Sequence, residues 1–313
     1  MGREGEPDRD GAGALPYPEF DLMDRVLEIA GDRAEAEAEY ERLGADTKNE
    51  LMRLLPEGWD PGGRTLLDFG CGAGRTLRHF IGEAESGAAE VWGADIDAAS
   101  IDWLRASLCP PLNAVRCDVD PPLPFDDGSF DLIWAISVFT HLADNSADWL
   151  LELHRVLAPG GLLVATYMGE WNSERIAGEP WDESRVGMNV LRHDAPWSIG
   201  GPMILMSDWW VREHWGRAFE FVSVQPWAYN QTWPLLRKKD VTITPEELLA
   251  PADDPREIAA LRHNVAQLQR EIEQLRGDYC AIVDGVRSEY EGSRSWRLTR
   301  PLRGLGARMR GGR

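Results

Sequence analysis

Residues 65–77 have the sequence TLLDFGCGAGRTL. An apolar run ends at the carboxylate Asp68, and three glycines follow in alternation, at Gly70, Gly72 and Gly74. A glycine-rich turn between a strand and a helix lets a ligand approach the backbone, at the edge of the sheet where doubly wound folds bind ligands. The stretch therefore predicts the first strand, turn and helix of a ligand-binding α/β domain.

Apolar runs alternate with helix-like segments over the next hundred residues. The runs TLLDFG, EVWGAD, NAVRCD, FDLIWAIS and GLLVATYMG are separated by segments such as GRTLRHFI, AASIDWLRASL and NSADWLLELHRVL. Continuous apolar strands separated by helices are typical of a parallel sheet that is covered on both faces. The predicted fold class is therefore α/β, doubly wound, with a mostly parallel sheet.

The glycine pattern distinguishes between two kinds of nucleotide ligand. A nicotinamide dinucleotide favours GxGxxG, but this stretch has GxGxG, with Arg75 at the position of the third glycine of that fingerprint. The acid at position 68 would repel a pyrophosphate and suits a ligand that carries an ammonium and a sulfonium group. S-adenosylmethionine is the ligand expected on these grounds.

The stretch resembles motif I of class I S-adenosylmethionine-dependent methyltransferases, and three later stretches resemble further motifs of that family in the expected order. They are VWGADID (91–97), VRCDVDPPLPFDDGSFDLIWAISVFTHL (115–142) and VLAPGGLLVAT (156–166). The resemblance covers residues 65–166, about a third of the chain. It implies a Rossmann-like, seven-stranded sheet and S-adenosylmethionine as the cofactor.

The same resemblance implies which residues bind that cofactor. In the family pattern, Asp95 takes both ribose hydroxyls, Ile96 lies against the adenine and Asp118 faces its amino group. The expected cofactor-binding residues are Asp68, Gly70, Cys71, Gly72, Gly74, Asp95, Ile96, Asp118 and Val119. The structural alternatives are that Asp68 is only a capping acid, Asp95 and Asp118 are solvated, and Cys71 serves packing.

Transfer of an activated methyl group requires an in-line nucleophile and exclusion of water, and no metal. A hydroxyl acceptor also gains from a general base. His141, just after the fourth predicted strand, and His193 are the best placed candidates, and Asp194 could orient an imidazole or act alone. The alternative for each histidine is a structural role.

Tryptophans are concentrated between Gly169 and Trp233. They are Trp171, Trp181, Trp197, Trp209, Trp210, Trp215, Trp227 and Trp233. Interposed glycines and prolines predict an irregular lid over about residues 169–206. We expect Trp171, Trp181 and Trp197 to line an acceptor pocket, where aromatic faces suit sugar rings, and Trp209, Trp210 and Trp215 to belong to the core.

The remaining segments complete the predicted organisation. Residues 1–16 are expected to be disordered, and helices are expected at Phe20–Leu43 and Thr47–Leu55 of a methyltransferase domain spanning 17–245. FEFVSVQPW (219–227) and LLRKKDVTIT (235–244) are predicted to form its last, antiparallel pair of strands. A linker at 246–255, a coiled coil at 256–288 and a basic tail at 289–313 follow.

The coiled-coil prediction rests on apolar residues at strict three-and-four spacing. They are Ile258, Leu261, Val265, Leu268, Ile272, Leu275, Tyr279, Ile282 and Val286. β-Branched residues at most occurrences of one position of the repeat, and leucines at most occurrences of the other, favour a parallel two-stranded coil. A homodimer is expected, and docking of the helix on its own domain is the alternative.

Charge and composition restrict the partners and the compartment. A formal net charge of −20 argues against duplex nucleic acid, and four cysteines without CxxC spacing argue against a disulfide framework or a zinc site. No apolar run of about 18 residues and no secretory signal is present. A cytoplasmic protein is expected, with residues 294–313, which carry seven arginines and no acid, contacting an anionic membrane at its inner face or an acidic partner. The alternative for this segment is a disordered, solubilising tail.

Two classes of function follow from these patterns. The first is an S-adenosylmethionine-dependent O-methyltransferase acting on a glycan or glycosylated intermediate, or alternatively on a soluble secondary metabolite. The string SWRLTRPLR, at 295–303, is similar to endings of bacterial surface-polysaccharide glycosyltransferases and methyltransferases, which implies polysaccharide biosynthesis. The second class is a non-catalytic, methyltransferase-like scaffold in a biosynthetic assembly.

Overall fold

A computed structural model describes residues 15–27, 32–196, 200–293 and 295–298. The first five strands form where the sequence predicts them, because each apolar run is bounded by glycine, proline or charged residues. They are β1 (Arg64–Phe69), β2 (Ala89–Asp95), β3 (Asn113–Arg116), β4 (Phe130–Ala135) and β5 (Leu157–Ala165). Each is parallel to its neighbours among the five, so their carboxyl ends meet at one edge of the sheet.

Four strands follow later in the chain. They are β6 (Met188–Leu191), β7 (Met203–Met206), β8 (Phe219–Ala228) and β9 (Gln231–Lys238). Within the described residues, the main sheet has seven strands in the order β3-β2-β1-β4-β5-β9-β8, with β9 antiparallel to both neighbours, while β6 and β7 pair separately. The strand order reverses at β1, which creates a crevice at the carboxyl edge between β1 and β4. The predicted doubly wound, Rossmann-like fold is confirmed.

The described residues also form nine α-helices. They are α1 (Phe20–Leu27), α2 (Arg33–Leu54), α3 (Ile81–Glu85), α4 (Ala98–Ser107), α5 (Ser146–Val156), α6 (Glu170–Ala177), α7 (Asp208–Trp215), α8 (Pro245–Leu249) and α9 (Arg256–Gly292). Successive strand residues face opposite sides, and Leu66 and Leu67 accordingly join two different apolar clusters. No helix among the described residues has the length and apolar composition needed to cross a membrane.

The N-terminal helices differ from the prediction. Instead of breaking near Gly44, α2 runs unbroken from Arg33 to Leu54, and it begins with a capping box formed by Asp32 and Glu35. Gly44 stays helical because α2 crosses the chain closely there: an added Cβ would lie 2.1 Å from the carbonyl oxygen of Arg75. The segment predicted to be disordered, 1–16, lies outside the described residues except for its last two.

The segment predicted as an irregular lid, 169–206, is partly regular. It contains α6 and the antiparallel pair β6–β7, in which residues 189–191 and 204–206 are buried and contribute to two different apolar clusters. The three tryptophans expected in the core lie just after this segment, in α7, and they are buried. Trp209, Trp210 and Trp215 expose only 6%, 6% and 3% of their surface.

The final antiparallel pair is present, but its second strand begins earlier than predicted. Tyr229 and Asn230 adopt left-handed backbone conformations, with φ of 52° and 60°. A two-residue turn of this kind matches the twist of the flanking strands. Because the turn closes at Asn230, β9 starts at Gln231 and ends at Lys238, and residues 239–244 leave the sheet.

The predicted linker, 246–255, overlaps a short helix. α8 begins with a capping box between Thr244 and Glu247, and its Leu248 is buried. α9 then extends four residues beyond the predicted coiled coil. The described chain divides into two compact units, with the break between Leu261 and Arg262.

Candidate active site

The glycine loop after β1 is held against the end of β2. The backbone N–H groups of Gly70 and Cys71 both donate to the carbonyl oxygen of Ala94, at 2.8 and 3.2 Å. Gly70, Gly72 and Gly74 all have positive φ, at 79°, 52° and 82°. Glycine adopts this conformation without steric cost, so the alternation of glycines in the sequence reflects a loop that coils at the carboxyl edge of the sheet.

The three glycines differ in what surrounds them. A Cβ at Gly70 would lie 2.4 Å from Cγ2 of Val138, and one at Gly74 would lie 2.6 Å from Cδ2 of Leu104. A Cβ at Gly72 would meet no protein atom within 4 Å. Gly70 and Gly74 therefore allow close packing, whereas Gly72 borders open space that a ligand can occupy.

Asp95 ends β2 and faces this loop. Its Oδ2 accepts a hydrogen bond from the N–H of Gly72 at 2.7 Å, and its Oδ1 accepts one from the N–H of Asp97 at 2.8 Å. Each carboxylate oxygen has further lone pairs, so the group retains capacity for hydroxyl donors. Ile96, the next residue, is half-buried and packs against the core.

Asp68 lies in β1 just before the glycine loop and is almost entirely buried. Burial raises the pKa of its carboxyl group to about 7, and the charge of Asp95 adds to this rise. The indole of Trp134 and the guanidinium of Arg75 act in the opposite direction. A carboxylate in such a place is costly to ionise unless a cation binds beside it.

Two side chains near Asp68 were not predicted from the sequence as candidate cofactor-binding residues. The hydroxyl of Tyr40, from α2, is buried without a hydrogen-bond partner among the described residues, and burial raises its pKa. The guanidinium of Arg75 has no hydrogen bond or ion pair within the described ranges, and burial lowers its pKa. In the sequence, Arg75 is distinguished only because it stands at the third glycine position of the GxGxxG fingerprint, and Tyr40 lies in no motif.

The other expected cofactor residues occupy distinct environments. Cys71 is buried, which raises the pKa of its thiol, and its Sγ would be 2.8 Å from a Cβ at Gly93. Its environment agrees with a packing role. Asp118 and Val119 follow β3 and are exposed, and the carbonyl oxygen of Val119 accepts from the indole of Trp149 at 2.9 Å.

The ends of β4, β5 and β9 are joined by a closed ring of hydrogen bonds. The N–H of Ser137 donates to Oγ1 of Thr166 at 2.8 Å, and the Thr166 hydroxyl donates to Oε1 of Gln231 at 2.5 Å. Nε2 of Gln231 then donates to Oγ of Ser137 at 2.8 Å. Ser137 has a positive φ of 62°, a conformation that serine rarely adopts and that the ring helps to hold.

The two candidate bases are in opposite electrostatic situations. Burial lowers the pKa of His141, although hydrogen bonds to the carbonyls of Pro202 and Gly200 oppose this effect. Its Nδ1 lies 2.8 Å from the carbonyl oxygen of Pro202, so that nitrogen carries the proton. The imidazole of His141 is therefore neutral near pH 7, which is the state that a general base requires.

His193 instead lies between two carboxylates. Its Nε2 is 2.9 Å from Oδ1 of Asp144, and its Nδ1 is 3.1 Å from Oδ1 of Asp194. These hydrogen bonds raise the pKa of His193. The pair predicted from sequence, His193 and Asp194, is thus brought together, but with a third partner that favours the charged imidazolium.

Two of the three candidate pocket tryptophans, Trp171 and Trp181, lie in the described part of the chain. Trp171 and Trp181 line one groove beside α6, together with Glu170, Glu174 and Pro180. Trp171 is 59% exposed, and Nδ2 of Asn172 ties the start of α6 to the β8–β9 turn through the carbonyl of Asn230 at 2.6 Å. Trp197 lies outside the described residues.

Comparison with known proteins identifies the central part of the chain. Residues 67–165 match a family model described as a methyltransferase domain. A 2-methyl-6-phytyl-1,4-hydroquinone methyltransferase of Synechocystis sp. is 37% identical over 115 residues, covering 36% of this chain and 33% of that protein. 24-Methylenesterol C-methyltransferase 2 of Arabidopsis thaliana is 30% identical, covering 49% of this chain and 40% of that protein.

A third relative comes from another substrate class. A tRNA N(3)-methylcytidine methyltransferase of Schizosaccharomyces pombe is 29% identical, covering 37% of this chain and 39% of that protein. The chain thus spans between a third and two fifths of the length of these relatives. Their names cover a hydroquinone, a sterol and a tRNA, so the expectation that this chain binds no nucleic acid stays a prediction.

These matches confirm part of what the sequence predicts. The methyltransferase assignment of the central domain is confirmed, and so is S-adenosylmethionine as its cofactor. The observed site fits that group, because Gly72 borders open space, the acid Asp68 just before the loop is buried, and the half-buried guanidinium of Arg75 is close enough to interact with that acid. Within the described ranges, no group of three or more histidine, cysteine, aspartate or glutamate side chains is arranged to hold a metal ion.

Proposed function

We propose that the protein is an S-adenosylmethionine-dependent methyltransferase that methylates an oxygen of a glycan or glycosylated intermediate. The observation that carries the methyl-transfer part is the Asp95 carboxylate bound to the N–H of Gly72, where the loop borders open space, with the buried Asp68 near enough to feel its charge. When bound, the cofactor supplies a methyl group that is already activated by a sulfonium. The protein then has to bind, orient and dehydrate the reactants.

Four side chains would hold the cofactor. Asp95 has carboxylate lone pairs for the ribose hydroxyls. Asp68 would bind the ammonium of the methionine moiety, and the Arg75 guanidinium and the Tyr40 hydroxyl would bind its carboxylate. The charges support this assignment, because a buried acid and a half-buried guanidinium that interact electrostatically match the two charges of a zwitterion.

A general base is proposed at His141. Its neutral imidazole is oriented by the carbonyl oxygen of Pro202 and follows the carboxyl end of β4. His193, held between Asp144 and Asp194, is proposed to secure the lid segment instead, because the two carboxylates raise its pKa and favour the imidazolium form, which cannot accept a proton. Asp194 then orients His193 and does not act as a base itself.

The glycan part of the proposal rests on the groove beside α6. Trp171 and Trp181 offer aromatic faces, and Glu170 and Glu174 add carboxylates on the same groove. Flat aromatic surfaces suit the apolar faces of sugar rings, and carboxylates accept hydrogen bonds from their hydroxyls. The hairpin turn of β8 and β9 ties this groove to the carboxyl edge of the sheet.

A transfer assay with labelled S-adenosylmethionine tests both parts separately. Nucleotide sugars, lipid-linked glycans, small phenols and tRNA serve as acceptors, and Asp95→Ala is the control that should slow transfer to all of them at a subsaturating cofactor concentration. Label on a glycan with an acid-stable ether linkage is the expected result. Label found only on phenols or tRNA would refute the glycan proposal, whereas failure to bind S-adenosylhomocysteine would refute methyl transfer itself.

Association with an anionic membrane is proposed for the arginine-rich segment 294–313. Among its residues, only 295–298 are described, so the proposal rests on seven arginines without an acid. Vesicles containing an anionic phospholipid should retain the full-length protein at low salt and release it at high salt. Retention that does not respond to salt, or no retention at all, would contradict it.

A further inference from the structure

α9 carries a continuous apolar stripe along its C-terminal part. From Arg262 to Gly292, every side chain of this helix is exposed or half-buried. Seven apolar side chains of the stripe are between 46% and 68% exposed: Leu261, Val265, Ile272, Leu275, Tyr279, Ile282 and Val286. A large apolar stripe in contact with water is typical of an interaction surface.

The stripe is narrow, which bears on what can cover it. Its residues occupy two positions of each heptad, called a and d. As far as Asp278, the flanking e and g positions carry polar residues: Arg262, Asn264, Gln269, Glu271, Arg276 and Asp278. In the following heptad they are Val283 and Gly285, which widen the apolar face there. A helix that packs on a globular domain usually has a wider apolar face, whereas an a/d stripe of this width is the seam of a coiled coil.

The residue types along the seam favour two parallel strands. With Val265, Ile272 and Tyr279 at a, the d positions hold Leu268 and Leu275. β-Branched side chains at a and leucine at d pack well in the knobs-into-holes geometry of a parallel dimer. Two positions depart from this pattern: Tyr279 places an aromatic ring at a, and Ile282 places a β-branched side chain at d.

We infer that a second copy of this chain covers the stripe, in a parallel and in-register coiled coil. In this arrangement a g residue faces the e residue five positions further along the other helix, so Glu271 meets Arg276 of the second copy. The dyad repeats the same ion pair on the other side. An antiparallel pairing would bring acidic g positions together, including Glu271 and Asp278, and would also bring arginines at e together.

The two glycines of this part of the helix do not interrupt the seam. Gly277 occupies an f position and Gly285 a g position, and an added Cβ at either would meet no atom within 4 Å. Both lower the intrinsic helix stability. We expect the seam contacts to offset this cost, and the dimer inference does not depend on the methyltransferase proposal.

Sedimentation equilibrium of the full-length protein tests whether the seam makes a dimer. The wild-type chain at micromolar concentration should have twice the mass of one chain. Leu275→Glu, which places a charge at d, should raise the dimer dissociation constant by about a hundredfold or more. Its matched control is Gln274→Glu, which adds the same charge at the neighbouring outward c position and should leave the dimer intact.

Two results would overturn the inference at this stage. One is a monomeric wild-type chain at these concentrations. The other is a dimer that Leu275→Glu leaves unchanged, because the contact would then lie elsewhere. Circular dichroism of both variants distinguishes loss of association from loss of the folded domain, since most helical residues lie before Leu261.

A disulfide test decides the orientation. On a Cys280→Ser background, Ile272→Cys places one thiol at an a position of each helix, and a parallel, in-register pair brings the two together within disulfide reach. Mild oxidation should then yield a covalent dimer, while Gln274→Cys on the same background should not. A dimer by mass in which the thiols at 272 fail to join would refute the parallel arrangement.

Discussion

The carboxylate of Asp95 accepts a hydrogen bond from the backbone N–H of Gly72 across 2.7 Å. The bond joins the carboxyl end of β2 to the glycine loop. Of Gly70, Gly72 and Gly74, Gly72 is the residue at which an added Cβ would meet no protein atom within 4 Å. The bond fixes the orientation of the carboxylate and the shape of the loop together. Removal of the Asp95 side chain should therefore affect both cofactor contacts and loop order.

Asp95→Ala should weaken binding of S-adenosylhomocysteine and of 5′-methylthioadenosine by about tenfold to a hundredfold, because charge-assisted hydrogen bonds contribute roughly 1.5–3 kcal/mol each. Isothermal titration calorimetry measures both. The matched control is Asp97→Ala, which removes the N-cap of α4 and should cost about 1 kcal/mol of stability. Unchanged affinities in Asp95→Ala would show that the ribose binds elsewhere.

Binding of S-adenosylhomocysteine should depend on pH through Asp68. Its pKa of about 7 in the free protein lies above that of the unfolded chain, so ionisation of Asp68 destabilises the folded protein as the pH rises from about 4 to 7. A bound ammonium offsets that cost. Affinity should therefore rise roughly tenfold between pH 6 and pH 8, with proton release detectable by calorimetry in buffers of different ionisation enthalpy.

Two controls identify Asp68 as the source of this pH dependence. 5′-Methylthioadenosine lacks the ammonium group and should bind with little change over the same range. Asp68→Asn should lose the dependence and bind S-adenosylhomocysteine more weakly at pH 8. A pH dependence that persists in Asp68→Asn would assign it to another group.

Arg75→Gln should reduce the affinity for S-adenosylmethionine by about tenfold or more, because an ion pair with the methionine carboxylate would be lost. Decarboxylated S-adenosylmethionine lacks only that carboxylate, so its affinity should barely change. Tyr40→Phe removes one neutral hydrogen bond and should have a smaller effect of the same kind. Equal losses for both ligands would indicate that Arg75 acts through the fold.

Trp171→Ala should raise the KM for a glycan acceptor about tenfold while leaving the affinity for S-adenosylhomocysteine unchanged, because it removes an aromatic face from the groove beside α6. Trp171→Phe keeps an aromatic face and should retain most of the activity. The assay is initial-rate methyl transfer at varied acceptor concentration. An unchanged KM in Trp171→Ala would exclude this groove as the acceptor site.

The contacts of His193 should stabilise the protein at low pH. Asp144 and Asp194 raise its pKa, so the stabilisation is fully present below the unfolded value of about 6.5 and is lost as the pH rises through the higher folded value. Because the side chains are partly exposed, the effect should be only a few tenths of a kcal/mol. Asp144→Asn should lower the melting temperature at pH 6 more than at pH 8.5, and an equal change at both values would contradict the role of His193.

The sequence by itself determined the sheet, the glycine loop and the acid at the end of β2. These features depend on neighbouring residues: apolar runs form strands, and alternating glycines permit a positive φ at Gly70, Gly72 and Gly74. Asp68 and Asp95 end such runs, and parallel strands place their carboxyl ends at one edge. Local pattern was sufficient for this part because each prediction involved only a few consecutive residues.

Helix boundaries were less predictable, because they depend on contacts with residues that are distant in the sequence. Gly44 was expected to separate two helices, but close contact with the Arg75 carbonyl requires a glycine inside α2. Glycine lowers the intrinsic stability of a helix by about 1 kcal/mol relative to alanine. The stabilisation from close packing of α2 against the chain at Arg75 outweighs that cost. The position of the β8–β9 turn depended similarly on the left-handed pair Tyr229 and Asn230.

Only the tertiary structure decided which distant side chains share the site. Tyr40 is 28 residues before Asp68 in the chain, and His193 is 49 residues after Asp144. Gln231 closes a ring with Ser137 that no spacing in the sequence indicates. Such contacts depend on how helices and loops pack over the sheet, so their energies arise from burial and geometry between segments and leave no local pattern in the sequence.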